Sequence, residues 1–110
     1  MERTYTEAET IAAIDDLTGP RLVAFVRARI VQPVQAEGHV LYREADLARL
    51  QLLCDLSETY DLHEDALGMV MSLVDQLNTM RGDMRALMQA VASEPDEVRT
   101  RLHTVLRRLR

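Results

Sequence analysis

Lysine and tryptophan are missing from this sequence, and cysteine and phenylalanine each occur once in 110 residues. The single thiol, Cys54, can form no intrachain disulfide and no cysteine zinc cluster, which fits a reducing compartment. With aromatics at 4 % against 47 % apolar residues overall, a core has to be aliphatic and methionine-rich. No apolar run approaches the roughly eighteen residues of a membrane span. Met1-Glu2-Arg3-Thr4 also lacks the apolar stretch of a signal peptide. A cytoplasmic protein without membrane association is the expectation. Net positive charge is lacking as well: thirteen arginines stand against eighteen acidic residues, a formal charge of −5. Non-specific nucleic-acid binding is mostly cationic attraction to phosphate, so DNA or RNA binding is not expected. The absence of lysine itself reads as codon composition, not mechanism.

Enzyme chemistry is missing too. His39, His63 and His103 lie far apart and show no ligand spacing, and there is no glycine-rich phosphate loop or nucleophile motif. No catalytic residue, metal site or cofactor is therefore expected. Cys54 falls on an apolar helix, where a thiol behaves as a small apolar group.

What is present is helical patterning. The length allows one compact domain, or a domain plus an oligomerisation element. Thr6-Glu7-Ala8-Glu9 has the form of a capping box, which predicts a short helix to about Ile14. Thr18-Gly19-Pro20 is punctuation, with Pro20 placed to open a second helix whose Leu22, Phe25 and Val26 share a face. Ile30 to Val34 ends it, and Glu37-Gly38 separates two short apolar runs, the pattern of a small two-stranded wing. A third helix is predicted from about Glu44 to Tyr60. It is apolar over much of its girth (Ala45, Leu47, Ala48, Leu50, Leu52, Leu53, Leu56) and so is expected to be the buried central helix. Asp61-Leu62-His63 breaks the pattern. A long helix from about Glu64 to Ala92 follows, roughly 43 Å at 1.5 Å per residue. Ser93-Glu94-Pro95 is expected to cap a last helix with Val98, Leu102, Val105 and Leu109 on one face.

The order helix, turn, helix, small wing, long helix resembles the winged helix-turn-helix head of MerR-type regulators followed by their dimerisation helix. Tyr5-Thr6 opens the chain as in that family, and the run Gly38 to Leu50 resembles its wing and following helix. Leu41-Tyr42 with Asp46-Leu47-Ala48-Arg49-Leu50 is the most specific part. The resemblance implies a mainly α fold, with a MerR-like head over residues 1–62 and a helical dimerisation and C-terminal region over residues 63–110. The chain departs from the family where DNA would be met. Val23 and Ala24 stand where an Arg-Tyr pair faces DNA, and Val40 stands at the arginine of the wing. Phosphate contacts need donors and positive charge, and these side chains supply neither.

A degenerate, acidic MerR-like head on a short chain is similar to the CbpM family of chaperone modulators. Asp15-Asp16-Leu17, Leu52-Leu53-Cys54-Asp55-Leu56 and Asp75-Gln76-Leu77 carry that similarity. The resemblance implies binding to the J-domain of a CbpA-type co-chaperone of the Hsp40 class and inhibition of its action on Hsp70. The alternative is a MerR-type DNA-binding transcriptional regulator using Arg21, Arg27 and Arg43.

Two sets of candidate residues follow. From Leu50 to Met80 there are Asp55, Glu58, Asp61, Glu64, Asp65 and Asp75 and no cation. A J-domain presents a basic helix to its Hsp70, so Asp55, Glu58, Asp61, Glu64 and Asp65 are the candidate contacts, with Tyr60 and Leu62 as apolar anchors. The plainer alternative is a solvated helix face with acids favoured at a helix N-terminus. The second set is a heptad-like stripe on the long helix: Leu67, Val70, Val74, Leu77, Met84, Met88 and Val91, interrupted at Arg81. It is the expected interface of a homodimer, the alternative being a helix packed only on its own head. The methionines are core filler or adaptable contact surface. The arginines of the tail (Arg99, Arg101, Arg107, Arg108, Arg110) are expected to complement the helix C-terminus and stay solvated, with pairing to the acidic stretch of a second subunit as an alternative.

Overall fold

The computed structural model describes residues 2–109, and Arg110 of the basic tail lies outside them. The chain is mainly helical. Its elements are β1 (Thr4–Tyr5), α1 (Glu7–Ala13), α2 (Gly19–Arg27), β2 (Val34–Ala36), β3 (His39–Arg43), α3 (Glu44–Tyr60), α4 (Glu64–Ala92) and α5 (Asp96–Arg108).

Local chemistry explains most boundaries. Thr6 accepts a hydrogen bond from the Glu9 amide at 3.2 Å, and the Glu9 carboxylate accepts from the Thr6 amide at 3.0 Å. This reciprocal capping box starts α1. These hydrogen bonds hold the Glu9 carboxyl below its ordinary value. Thr18 caps α2 through the Arg21 amide, with Pro20 in the first turn. Glu37 and Gly38 both have positive φ, 53° and 78°, the signature of a two-residue type I′ turn joining β2 to β3. Asp61, at φ 50° and ψ 41°, ends α3 in the left-handed region.

The sheet is antiparallel with order β1-β3-β2. Sequence patterning anticipates the β2–β3 hairpin but not β1. Two residues carry no period, and only the pairing of Thr4 with Arg43 and of Tyr5 with Tyr42 makes them a strand.

The molecule divides into two compact units, Met1–Ser72 and Leu73–Arg110. The sequence places the end of the head at residue 62. The first unit instead runs into α4, because Leu67 and Met71 are each only 2 % exposed and belong to its core. That core also contains Ile14, Leu17, Leu22, Phe25, Ile30, Val31, Tyr42, Leu50, Leu53 and Cys54. α3 is buried along one face and not around its girth: Ala45, Ala48 and Leu52 are exposed. Asp46 is buried beside Arg43, whose backbone N–H donates to it at 2.8 Å and whose guanidinium donates at 3.1 and 3.2 Å.

Among the described residues of the second unit, Val91 is the one large apolar residue that is buried. Ser93 does not cap α5; its hydroxyl donates back to the Ala90 carbonyl at 2.8 Å and finishes α4. Arg99 and Arg101 pair with Asp96 and Glu97 at the start of α5, while Arg107 and Arg108 lie in its last turn.

Candidate protein-docking surface

The acidic candidates gather where α3 hands over to α4. The left-handed Asp61 turns the chain, and Glu64 and Asp65 occupy the first turn of α4, where carboxylates are favoured by the unpaired amides of a helix N-terminus. Asp61, Glu64 and Asp65 are exposed and form no ion pair among the described residues. Tyr60, beside them, is 67 % exposed, and Leu62 is half-buried.

The other two acids are already engaged. Glu58 accepts from the Arg21 guanidinium at 3.1 Å, and Arg21 also donates to the Asp16 carbonyl at 2.9 Å. Asp55 accepts from the Gln51 amide at 3.0 Å. The structure thus splits the set into a solvated trio at the helix junction and a pair turned to local partners. The Arg21–Glu58 pair links α2 to α3, and nothing in the sequence signals it, since 37 positions separate the two residues. Both side chains are partly exposed, so its net contribution is about 0–1 kcal/mol.

A second surface lies between α2 and the β2–β3 hairpin. Val40 and Tyr42 alternate onto one side of β3, and Val23 and Val26 face them from α2. With Leu22 and Pro33 they line a groove of about 230 Å³, whose polar walls are Arg27, Glu7 and Gln35. Val23 and Val40 are 44 % and 40 % exposed, so the positions that depart from the DNA-reading pattern form open apolar surface. Of the three arginines a DNA-binding reading needs, Arg21 is held by Glu58 and Arg43 by Asp46. Arg27 is exposed and forms no ion pair among the described residues.

Cys54 is fully buried, and that burial pushes its thiol above its ordinary value, against the opposing influence of Arg21. A thiol in that condition is a poor nucleophile. Among the described residues no group of three or more His, Cys, Asp or Glu side chains is placed to hold a metal. No helix among them is long and apolar enough to cross a membrane.

The α4 stripe divides by environment. Leu67 and Val91 are buried within the single chain, Val70 and Val74 are half-buried, and Leu77, Met84 and Met88 are exposed. Leu73, Met80 and Leu87 are exposed as well, at 56 %, 67 % and 48 %. They belong to a second register: Val70, Leu73, Leu77, Met80, Met84, Leu87 and Val91 follow steps of three and four with no interruption. The signal for this register is in the sequence itself, and in it Arg81 stands on the flank instead of breaking the seam. Compared with known proteins, the chain matches no protein-family model, no curated protein and no solved structure.

Proposed function

We propose that this chain is a chaperone modulator of the CbpM type, which docks onto the J-domain of a CbpA-type co-chaperone and blocks its approach to Hsp70. The supporting observation is the solvated trio Asp61, Glu64 and Asp65 at the α3–α4 junction, free of ion pairs among the described residues and flanked by exposed Tyr60. A carboxylate cluster without internal counter-ions attracts a basic helix, speeds encounter and selects partner by charge. Tyr60 offers an aromatic ring with a polar tip, a side chain well suited to anchoring an interface. In the same proposal α1, α2, the hairpin and α3 form a winged helix-turn-helix whose groove has become aliphatic, and the site of action is the cytoplasm.

The order of importance among the acids follows from their partners. Asp61, Glu64 and Asp65 come first. Glu58 contributes only if it releases Arg21, and Asp55 only if it releases Gln51. Binding of a purified J-domain by calorimetry tests the proposal. Asp61→Arg with Glu64→Arg and Asp65→Arg is expected to weaken binding by at least tenfold. Unchanged affinity of the triple variant would remove the acidic mechanism, and no binding by the unmodified chain would remove the function. The DNA-binding alternative has weaker support, because Arg21 and Arg43 are committed to carboxylates. Sequence-specific retention in a low-salt gel shift would reverse that preference.

A further inference from the structure

The groove between α2 and the β2–β3 hairpin lies wholly within the first unit, and neither the acidic trio nor the α4 stripe uses it. Its walls follow from the two periods that build it. Val40 and Tyr42 stand two apart on β3, and Val23 and Arg27 stand four apart on α2, so each pair shares the face turned to the groove. Gln35 pairs with Val40 across the hairpin and so stands at the Val40 end. Glu7 stands at the Tyr42 end: burial, and then the Glu7 carboxylate, raise the Tyr42 hydroxyl above its ordinary value. One carboxylate and one guanidinium are thus the charged groups of a largely aliphatic wall. Both are exposed, and neither forms an ion pair among the described residues.

We infer that this groove binds a free α-amino acid with an aliphatic side chain, its ammonium held by Glu7, its carboxylate by Arg27 and its side chain by Val23, Val26 and Val40. Charge argues for it. A simple carboxylate would satisfy Arg27 and be repelled by Glu7, and a simple amine would do the reverse. A hydrocarbon would leave both charges facing an apolar ligand. A zwitterion answers both at once, and a guanidinium takes a carboxylate through two parallel hydrogen bonds. The Gln35 amide can donate to that carboxylate as well. The field of the unit points the same way. With thirteen acids against six arginines over Met1–Ser72, it disfavours a plain anion more than a ligand of zero net charge.

Size narrows the class. The groove of about 230 Å³ has room for seven or eight groups the volume of a water molecule, at about 30 Å³ each. That is the size of valine or leucine, and it falls short of the roughly 300–1,000 Å³ that larger ligands occupy. Shape completes the argument. Leu22, Val26 and Pro33 give a branched side chain an apolar seat, and the bound side chain covers Val23 and Val40, which are 44 % and 40 % exposed. The inference is independent of J-domain docking, whose proposed residues lie on α3, α4 and the turn between them.

Methyl NMR of the full chain with isotope-labelled valine, titrated with L-leucine, is the test. Saturable shifts are expected at Val23, Val26 and Val40, with a dissociation constant below about 1 mM. Alanine, isocaproate (leucine without its ammonium) and isoamylamine (leucine without its carboxylate) are each expected to bind at least tenfold more weakly. Glu7→Gln and Arg27→Gln, both at exposed positions, are each expected to weaken leucine at least tenfold. Glu7→Gln should leave isocaproate no weaker than before, and Arg27→Gln should leave isoamylamine no weaker. That crossed pattern ties each charge to its own group, and a variant that had merely unfolded would lose every ligand together. No shift at about 10 mM leucine overturns the inference, as do shifts confined to other valines. Isocaproate binding as tightly as leucine, or leucine binding unchanged in both variants, overturns the zwitterion assignment. Purified J-domain that shifts the three groove valines when leucine does not would give the groove to a protein partner and overturn it too.

Discussion

At the scale of single residues, three charged side chains decide what the surface can offer. Arg21 and Arg43, two of the three cations that a DNA-binding reading uses, are each already bound to a carboxylate. Asp46 does the most for the fold. It is 4 % exposed, and its carboxylate takes the Arg43 amide at the point where β3 becomes α3. Asp46→Ala leaves that donor without its acceptor, so the expected loss is about 2 kcal/mol, read as a lower urea midpoint. Arg43→Ala, which removes a side chain 43 % exposed to water, is expected to lose less than about 1 kcal/mol. Equal losses from both would show that the backbone contact is not the important one. Arg43-x-x-Asp46 lies in plain view in the sequence as a charge pair three apart. Its role at the β3–α3 junction does not, because burial of Asp46 depends on what the rest of the first unit lays over it.

Among the elements, the helix boundaries are written locally. Capping at Thr6, the Glu37-Gly38 turn and the Asp61 break each come from a few adjacent residues, which is why the predicted and observed ranges of α3 and α4 agree. Burial is different. α3 carries apolar residues around most of its circumference, yet only the Leu50, Leu53 and Cys54 side is covered, because a unit this small has no second layer for the other side. α4 shows the reverse case. Its stripe is real, but it serves two environments, with Leu67 and Met71 in one core and Leu73 to Leu87 open. Gly82 lies opposite that open stripe, and a β-carbon there would meet nothing within 4 Å. Gly82→Ala is therefore expected to raise stability by about 0.5–1 kcal/mol through helix propensity alone. It should leave the association state unchanged. A higher melting temperature together with altered association would mean that the outer face of α4 is also in contact.

For the whole molecule, net charge is divided unevenly between the two units. Thirteen of the eighteen acidic residues fall in Met1–Ser72 against six arginines, whereas Leu73–Arg110 holds seven arginines and five acids. The proposed J-domain contact is electrostatic and the expected self-association through the α4 stripe apolar, and salt separates them. Raising ionic strength from about 0.05 to 0.5 M shortens the screening length to a few ångströms. The J-domain association rate is expected to fall roughly tenfold over that range, while the dimer holds or tightens. A J-domain complex indifferent to salt would argue against the acidic trio. The sequence, poor in aromatics and cysteine and with no catalytic motif, determined a good deal by itself: an aliphatic, mainly helical chain, its element order, and the places where it turns. Those properties depend on neighbours within a few positions. The tertiary structure alone decided that β1 is a strand, that Glu58 is committed to Arg21 while Asp61, Glu64 and Asp65 are not, and that Leu67 is core while Leu73 is surface. Each of these depends on residues brought together from distant parts of the chain, and no local period records which of two equally apolar positions the fold will cover.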